Sequence, residues 1–162
     1  LALAARRGKF RSLMPGITTK EKAQYKELLA ELDLGLENRI TSKVGLLSGG
    51  QRQAITLLMA SLKRPKLLLL DEQTAALDPK TAAKVLDTTE KIVQKDNLTT
   101  IMITHNMKDA IAHGNRLIMM NSGNIIFDIS GEEKKKLTVE DLLEKFAIAS
   151  GKELDNDRMM LG

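Results

Sequence analysis

The chain of 162 residues contains no cysteine, so no disulfide framework can staple it, and a reducing compartment is allowed without being required. Tryptophan is absent as well, and the aromatics are three Phe and one Tyr. That poverty argues against the stacking platforms that grip single-stranded nucleic acid. No apolar run approaches the roughly 20 residues that cross a bilayer, and residues 1–5 are too short for a signal-peptide core. Any link to a membrane therefore passes through a partner. The phosphate-cradling loop G-x-x-x-x-G-K-[ST] is also missing. Gly8-Lys9 is followed by Phe10 and has Leu3 where the first glycine belongs. Gly151-Lys152 is followed by Glu153 and has Phe146 at the matching distance.

What is present fits a globular α/β protein. The content is 43% hydrophobic and 28% charged, with a net charge of +4 that permits contact with anionic surfaces without arguing for it. One domain with a sizeable core is within reach at this length. The basic stretch with Arg6, Arg7, Lys9 and Arg11 reads as a solvated loop, and Pro15-Gly16 as a turn between two helices. Thr18 or Thr19 caps a helix running to about Leu34, with Leu28, Leu29 and Leu32 on one face and Gly35 ending it. Ser48 caps a helix through Leu62 with Ile55, Leu58, Met59 and Leu62 inward. Pro65 stops it. Residues 67–70, four leucines, read as a strand buried on both faces.

Asp78-Pro79 opens the next helix, a capping carboxylate before a residue whose φ is already set. Ala82, Val85, Leu86, Thr89 and Val93 carry its period to about Lys95. Residues 98–104 form a second buried strand. Asn106 caps a short helix ended by Gly114. Residues 116–120 and 124–129 are strands around a Ser122-Gly123 hairpin turn. Thr138 opens a last helix through Phe146, before a polar tail.

Two segments carry chemistry. In Leu47-Ser48-Gly49-Gly50-Gln51, a serine and two glycines open a helix, so free N–H groups and the positive helix end face outward. That arrangement suits an anion, and small side chains let the backbone approach a phosphate. Alone, it is also what any capped helix after a Gly-Gly turn looks like. The leucine strand ends in Asp71-Glu72, adjacent carboxylates that diverge. One can face a Mg²⁺ ion while the other polarises a water. Two solvated acids at a strand end are common, but four leucines before them make a solvent-exposed strand a poor reading. His105 follows the second strand, at the sheet edge where open α/β sheets bind ligands. His113, near a helix end, reads as a packing or surface residue.

The order and spacing of these segments resemble the ABC-type ATPases, with their LSGGQ signature and a Walker B strand ending in Asp-Glu. The stretch from Asp71 to Pro79 resembles the run from Walker B into the D-loop, and residues 101–106 resemble the strand ending in the switch histidine. Gln73 stands where proline is commoner and Ala75 where serine is common, and both read as branch variation without essential chemistry. The resemblance implies an α/β fold, the C-terminal portion of a P-loop NTPase: a helical subdomain plus part of a mainly parallel sheet. It divides the chain into part of the helical signature subdomain (1–47), the Walker B, D-loop and switch part of the core (48–131), and a C-terminal helix and tail (132–162).

By the same resemblance Asp71 binds Mg²⁺, Glu72 is the catalytic base, and His105 holds Glu72 and its water beside the γ-phosphate. Ser48, Gly49, Gly50 and Gln51 serve ATP held by a second subunit, and Asp78 sits at that dimer interface. The implied function is the ATP-hydrolysing subunit of a bacterial uptake transporter, cytoplasmic and peripheral on the inner face of the membrane. Its partners are a transmembrane permease, a second ATPase subunit and an extracytoplasmic substrate-binding protein, with no nucleic acid. The competing classes are a soluble ABC-type ATPase acting on nucleic acid or ribosomes, and a non-catalytic interaction fragment. The missing phosphate loop implies a C-terminal fragment of a longer ATPase, inactive alone. In the family fold the strand leading to that loop lies between the switch-histidine strand and the one resembling 117–120. Without it the isolated piece is expected to be sticky, strand-swapped, partly disordered or rearranged.

Overall fold

The computed structural model describes residues 1–8 and 16–150, so Lys9, Arg11, Pro15 and the polar tail beyond 150 lie outside the described residues. The chain divides into two compact units, Leu1–Met102 and Ile103–Gly162.

In the first unit, α1 (Ala2–Ala5) precedes α2 (Thr19–Ala30). Thr18 caps α2 with a reciprocal box: its hydroxyl accepts from the Glu21 N–H at 3.2 Å, and the Glu21 carboxylate accepts from the Thr18 N–H at 2.8 Å. Those N–H and hydroxyl donors, with the Arg6 guanidinium, hold the Glu21 carboxyl at a pKa of about 2. The helix stops at Ala30, four residues before the Leu34 expected from its apolar face. There the N–H groups of Leu32 and Asp33 turn back to the carbonyls of Leu29 and Ala30, and Asp33 takes a left-handed φ of 52°. Gly35, at φ 68°, opens a 3-10 turn at Leu36–Asn38, and a second such turn lies at Val44–Leu46.

Helix α3 (Gly49–Ser61) follows, and its buried side is wider than the expected stripe. Leu58 is buried and Ile55 and Leu62 pack half-buried against its cluster, as expected, while Gly50, Ala54, Leu57 and Ser61 are buried as well. The reason is that α3 is covered on more than one side. Ala54 and Leu58 join Leu29, Leu32, Leu36 and Leu47 in one apolar cluster, while Leu57 joins Leu68, Leu70 and Leu98 in another. Burying a leucine contributes roughly 1.5–3 kcal/mol, so the two clusters make α3 the most heavily anchored element of the unit.

Strand β1 (Leu68–Asp71), α4 (Pro79–Asp96) and β2 (Thr100–Ile103) make one strand–helix–strand unit, and the two strands pair in parallel. The expectation that these strands are buried on both faces fails. Leu68 and Leu70 are buried, but Leu69 is 63% exposed and Ile101 52%. A run of leucines shows that a strand can be covered on both sides. Among the described residues, packing covers one side only.

The second unit holds α5 (Met107–Ala112), the antiparallel hairpin β3 (Arg116–Asn121) and β4 (Asn124–Ser130), the short α6 (Gly131–Lys134) and α7 (Val139–Ser150). Ser122 and Gly123 both take positive φ, 49° and 79°, as a tight two-residue hairpin turn requires. Thr138 and Asp141 cap α7, which continues past Phe146 to Ser150. Lys134 is buried and donates to the carbonyls of Ile111 and His113, satisfying the end of α5. Among the described residues, Leu117 and Leu142 are the unit's buried leucines.

The one-sided sheet has a measurable consequence. Leu68→Ala is expected to destabilise the protein by about 2–5 kcal/mol, and Leu69→Ala to stay within about 0.5 kcal/mol of the parent. Denaturant titration of the two variants checks this; equal losses would mean that both faces of β1 are covered.

Candidate functional site

The Ser48 segment is built as a helix end. Its hydroxyl accepts from the Gln51 N–H at 3.2 Å, and Gln51 Oε1 accepts from the Ser48 N–H at 3.1 Å. Gln51 Nε2 also donates to the carbonyl of Leu34 at 3.1 Å, tying the helix end to the loop after α2. The side chain of Gln51 is thus occupied inside the unit. Ser48 is exposed and uses its hydroxyl as an acceptor, so its own proton stays available for an outward acceptor. The N–H groups of Gly49 and Gly50, in the first turn, have no carbonyl four residues back within the helix.

The two glycines also serve the packing. A Cβ on Gly49 would lie 2.9 Å from Leu77 Cδ2, and one on Gly50 would lie 2.2 Å from Thr81 Cγ2. The start of α3 therefore rests directly on the start of α4 and on the residue before its cap. Sequence reasoning gave these glycines only the role of approaching a phosphate. Leu77 and Thr81 carry no sequence signal for this contact beyond their places on either side of Asp78-Pro79.

Asp78 caps α4, its Oδ1 accepting from the Thr81 N–H at 3.0 Å. Hydrogen bonds from the Thr81 side chain and N–H hold its carboxyl below the usual carboxylate range. The cap is therefore fully formed above the ordinary aspartate pKa and is lost as pH falls through the lowered value.

Asp71 ends β1, exposed like Leu67 and Leu69 at alternate positions. Glu72 breaks that alternation. Its φ of 43° lies in the left-handed region, costly for a side chain with a Cβ. Its carbonyl accepts from the Ala75 N–H at 3.1 Å, and that of Thr74 from the Leu77 N–H at 3.0 Å, so residues 72–77 are two consecutive turns. Gln73, read from sequence as mere variation, donates from Nε2 to Thr89 Oγ1 on α4 at 3.2 Å.

Ser48, Gly49, Gly50, Gln51, Asp71, Glu72 and Asp78 all belong to the first unit. His105 belongs to the second, exposed between β2 and α5. It sits in a turn where Thr104 Oγ1 accepts from the Asn106 N–H at 3.1 Å and Asn106 Oδ1 accepts from Lys108 and Asp109. His113 is half-buried at the end of α5.

No group of three or more acidic, His or Cys side chains that could hold a metal occurs among the described residues. That suits Mg²⁺, which is commonly held by one or two carboxylates, water and substrate phosphates rather than a protein cage. The donor set at Asp71 and Glu72 fits such an ion. The capped, glycine-lined end of α3 fits one anionic oxygen group.

Gly50→Ala is expected to destabilise the first unit by about 1–3 kcal/mol through overpacking, and Gly50→Ala/Thr81→Ala to recover most of that loss. Denaturant titration of the four proteins in the cycle checks it, and additive losses would mean that the two positions do not touch.

The chain is similar to proteins of known family. The ABC transporter family profile matches residues 4–75. A tyrosine transport ATP-binding protein from Clostridioides difficile is 48% identical over 149 residues, 92% of this chain and 59% of its own length. A phosphonates import ATP-binding protein from Frankia casuarinae is 33% identical over 75% of this chain and 48% of its own. Among solved structures, a dimeric post-hydrolysis state of an ATP-binding cassette, bound to ADP and Pi, superposes with a TM-score of 0.57 at 30% identity, covering 75% of this chain and 51% of its own. The chain thus spans about half to three-fifths of the length of these relatives. It belongs to the ABC transporter family of ATP-binding proteins.

Proposed function

We propose that this chain is the signature-to-switch part of an ATPase subunit that binds and hydrolyses ATP to drive uptake through a membrane transporter. The observation that carries the reading is the contact of α3 with α4. It sets an anion-binding helix end against the Asp78 cap, on the chain that follows the Asp71-Glu72 strand end. Relatives named as transport and import proteins support uptake.

In this reading Asp71 would hold Mg²⁺, which would neutralise charge on the nucleotide phosphates. Glu72, turned out of the strand by its left-handed backbone, accepts the proton of the attacking water. His105, by resemblance the switch histidine, would contact the γ-phosphate. Ser48 and the N–H groups of Gly49 and Gly50 donate to the γ-phosphate held by a second subunit, and Asp78 lines the same interface. The phosphate loop is supplied by a region outside the 162 residues. Residues 1–47 belong to the helical signature subdomain, residues 48–131 to the Walker B, D-loop and switch part of the core, and residues 132–162 to a C-terminal helix and tail.

No helix among the described residues is long and apolar enough to cross a membrane. In this reading the subunit works at the cytoplasmic face on a separate permease, fed by an extracytoplasmic binding protein. The scarcity of aromatics weighs against a nucleic-acid partner.

In the intact subunit, Glu72→Gln is expected to lower hydrolysis by about 10² to 10⁴ while leaving ATP binding in place, so that the ATP-bound dimer accumulates. Adding Ser48→Arg should abolish that dimer without weakening ATP binding to one subunit, since a long cation fills the gap between the two faces. Size measurement of both proteins with ATP decides it. An undiminished dimer in the double variant would remove the signature from a shared nucleotide interface.

A further inference from the structure

We propose that Gln73 is a positioning residue for Glu72, acting through its tether to Thr89; the inference rests on Glu72 being the catalytic base. The geometry is local and polar. The Gln73 amide donates to Thr89 Oγ1 at 3.2 Å, and the Thr89 hydroxyl spends its own proton on the carbonyl of Val85 at 2.7 Å. Thr89 Oγ1 also lies 3.4 Å from Gln73 Oε1, so the amide meets the hydroxyl through both of its polar atoms, with the nitrogen the nearer. Thr89 is 5% exposed and Gln73 is half-buried, so water competes poorly for the bond.

The position of the tether gives it leverage. Gln73 directly follows Glu72, whose backbone sits at a φ of 43° and relaxes to the ordinary strand region unless its surroundings hold it. Thr89 lies inside the 18-residue helix α4, which is anchored by the buried Val85 and Leu86. The tether thus joins the second residue of the 72–77 turn to a rigid element 16 residues further on. A flexible turn would sample several orientations of the Glu72 carboxylate, and a general base must stay within hydrogen-bond reach of its water. Gln73 touches neither nucleotide nor water in this scheme; it acts through Glu72.

The test is steady-state hydrolysis by the intact subunit carrying Gln73→Leu, Thr89→Val, both, or Thr89→Ser, with Glu72→Gln alongside. Gln73→Leu and Thr89→Val are each expected to lower kcat by about tenfold with KM for ATP within about twofold of the parent. The double variant should fall no further, and Thr89→Ser, which keeps the hydroxyl, should restore the rate. Amide exchange at Ala75 and Leu77 should quicken in the two tether-breaking variants, a readout independent of activity. Unchanged kcat and exchange in Gln73→Leu beside a crippled Glu72→Gln would overturn the tether and leave the base intact. A KM effect alone, or losses that multiply, would also overturn it. Wild-type hydrolysis by Glu72→Gln would bring down both readings together.

Discussion

The approach of α3 to α4 is the constraint on which the rest of the first unit depends. Two consecutive glycines let the start of one helix lie on the start of the next, with no room for a Cβ at either position without displacing Leu77 or Thr81. Both helices enter that contact with side-chain caps, Ser48 with Gln51 and Asp78 with Thr81. Because the helix starts are fixed against each other, the loop between β1 and α4 has little freedom. Its two turns, the left-handed Glu72 and the Gln73 tether all lie within that short span. The packing that stabilises the unit is thus also what sets its functional groups.

The apolar architecture explains why α3 can bear this role. It is held in one cluster with α2 and the loop after it, and in another with β1 and Leu98, two residues before β2. Glycine at two successive helical positions costs helix propensity, about 1 kcal/mol each relative to alanine. The capping box and the two leucine clusters offset that cost. On the opposite side of the strands, Leu67, Leu69 and Ile101 remain exposed. The sheet is therefore half covered, which fits a chain spanning about half to three-fifths of its relatives' length.

Local signals were the legible ones. Thr18, Ser48, Asp78, Asn106 and Thr138 each cap the helix assigned to them, because a cap depends on a few neighbouring residues. Ser122-Gly123 made its turn for the same reason. The order of the Ser48, Asp71-Glu72, Asp78 and His105 segments was enough to name the family. Features set by distant partners were hidden. Four leucines in a row cannot report which side is covered, so the two-faced burial failed. The apolar stripe of α3 pointed to one contact where the helix has several. The tether from Gln73 to Thr89 spans 16 residues, and the fit of Gly50 against Thr81 joins two different helices, so neither shows in any short window.

The central claim is that the signature helix end is seated on α4 through bare glycine backbone. A nuclear Overhauser experiment on methyl-labelled protein tests it most directly, by looking for a cross-peak between the Thr81 methyl group and the Gly50 α-protons. The account predicts a strong cross-peak, since the methyl carbon lies 2.2 Å from where a Gly50 Cβ would stand. A missing cross-peak, with the Thr81 methyl showing its intra-helix contacts to α4 alone, would contradict it.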